Sequence, residues 1–254
     1  MTEVVHTFQT PGGVELDVSI PAGAIDVETV DGEESVVVLE GDARLIDQTT
    51  VELNGRRLVV AYRGRRSLGI TIAFGDFSFG GSRLRVRASV PHGAEARLAT
   101  VSADMRLTGR FDALATKSTS GDVTLRGEIE RDADVKTVSG DVRLERVGGS
   151  FRCNSVSGDI DVASVGHEVE TKSVSGDVRI GSLHEGDASF TSVSGDVQIG
   201  IAAGSFLDVD AGTVSGDLSS EVPLSSAPEG DGEGPTVVLR GKTVSGDVKV
   251  FRAA

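Results

Sequence analysis

Eight aspartates recur along this 254-residue chain from residue 104 onward, at positions 104, 122, 141, 159, 177, 196, 217 and 247. Seven of them close the same phrase: a hydroxyl residue, usually Val, then Ser-Gly-Asp. Thr137-Val138-Ser139-Gly140-Asp141 and Ser173-Val174-Ser175-Gly176-Asp177 are examples, and Thr100 to Asp104 is a decayed eighth copy with Ala103 in place of Gly. Two kinds of chemistry use carboxylates spaced like this. A column of them can hold cations, as the Gly-Gly-x-Gly-x-Asp β-roll holds Ca²⁺. A pair about 5–9.5 Å apart can act as acid and base in glycoside hydrolysis. Against the first, the paired glycines of the β-roll are missing. Against the second, seven equivalent copies offer no privileged pair, and with no Trp and only Tyr62 there is no aromatic platform for a sugar. A calcium-stabilised binding domain and a carbohydrate-active β-helix enzyme therefore stand as the alternatives.

The leading expectation is that each Asp accepts hydrogen bonds from backbone N–H groups and hydroxyls at a bend. Gly121, Asp122, Gly140, Asp141, Gly158, Asp159, Gly176, Asp177, Gly195, Asp196, Gly216, Asp217, Gly246 and Asp247 are then structural residues of a repeated turn. No catalytic residue, metal ligand or cofactor is expected. Stacked in register, the carboxylates would stand about 4.8 Å apart. Two unit charges at that distance repel by about 0.9 kcal/mol in water and more near a protein surface. The column needs an offset, and Arg143, Arg179 and Lys249, each two positions after an aspartate, are available to supply it.

The elements that position these residues follow from the spacing. Successive aspartates are 18, 19, 18, 18, 19, 21 and 30 residues apart. That is too short for a helical repeat or a propeller blade, and long enough for two strands and their bends. Val174, Gly176, Val178 and Ile180 share one parity and are assigned to the inward face; Ser173, Ser175, Asp177 and Arg179 take the outward one. An upstream strand adds a second inward pair in each repeat: Ala133/Val135, Phe151/Cys153, Val169/Thr171, Ala188/Phe190 and Val209/Ala211. The parity change places a bend where Lys117, Lys136, Lys172 and Lys242 sit. Each repeat brings two half-apolar strands, and stacking joins them into one core. The fold class is all-β, a β-solenoid-like stack of short strands with about 18–19 residues per coil. Residues 96–254 form the Ser-Gly-Asp solenoid, with a flexible loop at about 223–235. Residues 1–95 form divergent coils or a capping β-layer on the same core, with strands expected at 14–20, 24–30, 35–39, 50–53, 58–62, 70–74 and 84–90.

Composition narrows the function. A net charge of −14 argues against wrapping a nucleic acid backbone. The single cysteine, Cys153, excludes an internal disulfide and falls at an inward position. His6, His92, His167 and His184 show no metal-ligand spacing, and Phe79-Gly80-Gly81-Ser82 lacks the Lys of a phosphate loop. Phe77 and Phe79 alternate outside the repeat; on an exposed hairpin they would form an interaction site. The start, Met1 to His6, has neither the basic run nor the apolar core of a leader, and no stretch could span a bilayer, so a cytoplasmic location is expected.

The run from Leu84 to Gly93, followed by serial Thr/Ser-Val-Ser-Gly-Asp-Val copies, resembles the bacterial β-strand-repeat family that carries the name "putative adhesin", domain of unknown function 4097, within the wider toastrack group. The resemblance spans roughly residues 10 to 253. It implies a solenoid-like fold, no known catalytic activity and a link to the bacterial envelope, including membrane-stress signalling; it supplies no site residues. The expected function is a non-catalytic, adhesin-like interaction or scaffold module whose partner is a protein or envelope component. Self-association through a terminal strand is a further expectation.

Overall fold

The structure, a computed structural model, describes residues 2–63, 84–222 and 235–253. Phe77, Phe79 and the strand expected at 70–74 lie outside the described residues. The first elements are β1 (Thr2–Gln9), β2 (Glu15–Val30), β3 (Glu34–Gly41), α1 (Ala43–Asp47), β4 (Thr49–Asn54), β5 (Arg57–Tyr62), β6 (Leu84–Pro91) and β7 (Ala94–Lys117). β2 carries the first coil, pairing in parallel with β5 through its first half and with β6 through its second; β7 stacks on it along nearly its whole length. Antiparallel strands complete this end: β4 on β5, β3 on β6, and β1 on β3. The short helix α1 was not expected from sequence. Its local signal is Asp42, whose carboxylate accepts the Arg44 N–H at 2.9 Å and caps the first turn.

From there the coils repeat, one strand on each of two walls. After β8 (Val123–Ile129) come β9 (Ala133–Lys136) with β10 (Val142–Val147), β11 (Phe151–Asn154) with β12 (Ile160–Val165), and β13 (Val169–Lys172) with β14 (Val178–Leu183). They are followed by β15 (Gly186–Ser194) with β16 (Val197–Ile201), β17 (Phe206–Ser215) with β18 (Leu218–Ser220), and β19 (Thr236–Ser245) with β20 (Val248–Arg252). The pairings between these neighbouring coils are parallel, with register shifts in the β8–β10 and β14–β16 pairs, and Val142, Ile160, Val178, Val197 and Val248 form one inward column. Opposite them lie Ala133/Val135, Phe151/Cys153, Val169/Thr171 and Ala188/Phe190, all buried. A continuous core runs from β2 to β20.

Two expectations are corrected. Val174 faces outward, not inward: Val138, Val156, Val174, Val193 and Val244 are 45–51% exposed, while the preceding hydroxyls of Thr137, Ser155, Ser173, Ser192 and Thr243 are buried. The bend therefore lies within Val-Ser-Gly-Asp rather than at the lysines, because the inward parity of Val169, Thr171 and Ser173 continues past Lys172 and switches only before Val178. The coils, moreover, are not stacked in chain order. β19 pairs with β15 on one side and β17 on the other, and β20 lies between β16 and β18. The last coil of the sequence is thus the penultimate coil in space, which is why Val209 and Ala211, at the true end, are only half-buried.

Candidate functional site

The repeat corner is built around backbone approach. At Gly140, Gly158, Gly176 and Gly195, a Cβ would lie 2.3–2.5 Å from the carbonyl oxygen of the corner glycine one coil below. Gly158 and Gly176 also hold φ of +133° and +116°, a region closed to ordinary side chains. The glycines thus face along the stacking axis, not into the core, and any side chain there would push two coils apart.

The aspartates follow from that geometry. Asp159 donates its N–H to Asp141 Oδ1 at 3.1 Å, and its own Oδ1 accepts the Asp177 N–H at 3.0 Å. Its carbonyl accepts the Val142 N–H at 2.8 Å. The same N–H to carboxylate bond links Asp122 to Asp104, Asp141 to Asp122, Asp196 to Asp177, Asp247 to Asp196 and Asp217 to Asp247. A bend leaves a backbone N–H without a partner strand, and the carboxylate below supplies its acceptor. The ladder crosses the coils in their spatial order, so 196, 247 and 217 are consecutive rungs.

Cationic offset of the ladder is partial. Arg143 reaches Asp141 at 2.7 Å, and this pairing raises the pKa of the guanidinium above its ordinary value. Arg106 lies 3.3 Å from Asp104. Arg179 instead sits over the Phe251 ring, 5.9 Å from its centroid, and Lys249 pairs with Glu221 at 2.8 Å. Asp122, Asp159, Asp177, Asp196 and Asp247 instead accept a backbone N–H from the neighbouring coil. Among the described residues there is no cluster of three or more His, Cys, Asp or Glu side chains placed to hold a metal ion.

Other groups with chemical potential are tied into the scaffold. Cys153 is buried between the coils, and burial, with a smaller contribution from Asp134, pushes its thiol up to about 12, so it is protonated and unreactive at neutral pH. His92 Nδ1 lies 2.7 Å from Thr29 Oγ1, which also accepts the Arg110 N–H. His167 faces Glu185 at 2.8 Å. At the opposite corner, Arg131 grips Asp112, and that hydrogen bond holds the carboxyl below the usual carboxylate range. One open furrow crosses Gly109, Gly127, Glu145 and Ala163, and a second lies among Asp159, Asp177, Arg143 and Arg179. Both are surface channels between side chains of neighbouring coils.

Sequence reasoning placed the aspartates on the outward face but missed two features of the corner. The buried hydroxyl row, Ser118, Thr137, Ser155 and Ser192, was assigned outward. The exposed valine row was assigned to the core. A period-two reading shows that the parity switches between the two strands of a coil, but not at which residue of the corner it does so.

Comparison with known proteins agrees with this architecture. A family model described as Toastrack DUF4097 matches residues 15–251. A crystal structure described as a putative adhesin from Parabacteroides distasonis superposes with a TM-score of 0.54 at 15% identity, covering 98% of this chain and 97% of that one. A second such protein, from Bacteroides fragilis, gives 0.51 at 13% identity with the same coverage. A protein described as a putative lipid binding protein from Parabacteroides distasonis gives 0.55 at 12% identity, covering 98% and 96%. At these identities the likeness is one of fold. No curated protein matches the sequence significantly.

Proposed function

Taking as premise that the chain belongs to the Toastrack DUF4097 family, we propose that it is a non-catalytic interaction or scaffold module, adhesin-like, that engages a protein or another component of the bacterial envelope. The observation that carries this reading is the commitment of the repeated carboxylates. Each repeat aspartate except Asp217 spends Oδ1 on the backbone of the next coil, so the one periodic group suited to acid–base or cation chemistry is used in holding coils together. The Gly-Asp pairs are on this reading structural, and function falls to what the walls display.

Those walls suit a partner with an extended, repetitive surface. Arg143, Asp161, Arg179, Gln198 and Lys249 occupy one column of in-register, outward positions. Parallel pairing fixes the spacing between such side chains at about 4.8 Å, so a ligand meets a regular polar array rather than an enclosed pocket. The neighbours named as adhesins and as a lipid binding protein are consistent with surface binding of this kind. No helix among the described residues is long and apolar enough to cross a membrane.

Crosslinking in cells, followed by a pull-down and fractionation, tests the proposal. Recovery of a specific envelope or regulatory protein supports it. Recovery of none, or detectable cleavage of acidic or neutral polysaccharides by the purified protein, would overturn it.

A further inference from the structure

The last coil of the sequence lies between two segments that carry no Lys or Arg. From Gly186 to Ser205 the ionic residues are Asp187 and Asp196, with no Lys or Arg. From Phe206 to Val222 they are Asp208, Asp210, Asp217 and Glu221, again with no Lys or Arg. From Thr236 to Arg252 they are Arg240, Lys242, Lys249 and Arg252 against Asp247 alone. Stacked in chain order, the first two segments would set acidic rung on acidic rung with no cation between. The basic coil separates them. Arg240 reaches Asp187 at 3.7 Å, Lys249 reaches Glu221 at 2.8 Å, and Arg252 donates to the carbonyls of Ala202 and Ser205 at 2.9 and 3.0 Å. In the β17–β19 register, Asp210 lies directly opposite Arg240.

This arrangement leaves the acidic coil, among the described residues, paired along one edge. Among the described residues, β17 pairs with β19 alone and β18 with β20 alone. Leu218 is 46% exposed, whereas its counterparts Val142, Ile160, Val178, Val197 and Val248 are at most 3% exposed. Phe206 and Val214 are exposed on the same coil. Asp208, Asp210 and Asp217 make no ion pair among the described residues. Among the described residues, Oδ1 accepts the neighbouring coil's Asp N–H on the other rungs but no such N–H reaches Asp217 Oδ1.

We propose that the outer edge of β17 and β18 is a docking site for an extended basic segment of a partner protein, which adds as the next strand. Main-chain hydrogen bonds to the open edge supply affinity, and alternating side chains supply specificity. On its inner face the segment carries small aliphatic residues over Val209, Ala211 and Leu218. On its outer face it carries Lys or Arg opposite Asp208 and Asp210. The chain's own β19, with Arg240 and Lys242 on a strand of Val and Leu, shows the chemistry that fits this edge from the other side. A second copy of the chain is the poorer occupant, because two-fold pairing of β17 with itself would bring Asp208 and Asp210 against their own counterparts.

The test uses the full chain, isotopically labelled, and a synthetic peptide of residues 236–252. The expected result is peptide binding, weakening with added salt, with amide shifts confined to β17 and β18. A peptide with Arg240, Lys242, Lys249 and Arg252 all changed to Glu should bind at least tenfold more weakly. The exposed double substitution Asp208→Asn/Asp210→Asn should weaken the native-charge peptide about fivefold; Asp208→Asn alone, opposite Val238 rather than Arg240, should weaken it less while leaving the thermal midpoint unchanged. Equal binding of the two peptides, or none up to about 1 mM, would overturn the proposal. So would shifts centred on β15 and β16, which would show exchange into the internal slot, or concentration-dependent dimerisation that occupies the edge. The wall proposal is tested separately, since Asp208→Asn/Asp210→Asn leaves the walls intact and its pull-down partner should be unaffected.

Discussion

Gly158 shows how little freedom the corner leaves. Its φ is +133°, and a Cβ would stand 2.5 Å from the Gly140 carbonyl oxygen, a backbone atom that cannot swing aside. Gly158→Ala is expected to cost about 2–4 kcal/mol, combining strained φ with forced separation of two coils. Gly212→Ala is the control: no atom lies within 4 Å of the added methyl, its φ is ordinary, and the thermal midpoint should barely move. Asp159 adds a second test. Asp159→Ala strands the Asp177 N–H and should cost about 1.5–3 kcal/mol, whereas Asp159→Asn keeps a side-chain oxygen at the same place and should cost about 1 kcal/mol or less. Denaturant titration of the two variants separates them; equal losses would show that the carboxylate charge, not the acceptor, matters. The sequence announced both residues by recurrence. It could not announce that the neighbouring Val turns outward, because that depends on where in the corner the chain bends.

At the level of elements, chain order and spatial order disagree, and this has a kinetic signature. β19 is hydrogen-bonded on both edges, while β17, thirty residues earlier at the repeat aspartate, occupies the end of the stack. Hydrogen exchange should therefore show stronger protection for the interior of β19 than for β17, and for β20 than for β18. Uniform decline toward the C-terminus would contradict the insertion of the last coil. The 30-residue step between Asp217 and Asp247 was visible in the sequence as an interruption. Its consequence was not, since a connection of that length permits either the next rung or the one before.

The whole molecule is a stack whose coils touch only their neighbours, so its stability is distributed rather than concentrated in one site. If the aspartate ladder is held by backbone N–H groups and Arg side chains, chelation has nothing to remove. EDTA should leave the thermal midpoint unchanged, and added calcium should not raise it; a fall of many degrees reversed by calcium would favour the cation-binding alternative. By itself, the sequence determined the all-β repeat, the coil length and the buried pairs from Ala133/Val135 to Ala188/Phe190, because period-two alternation and fixed spacing are local properties. Only the tertiary structure decided which way the corner side chains face, which carboxylate takes which N–H, and which coil ends the stack. Those depend on backbone approach and on charge between segments far apart in the chain, which no local pattern records.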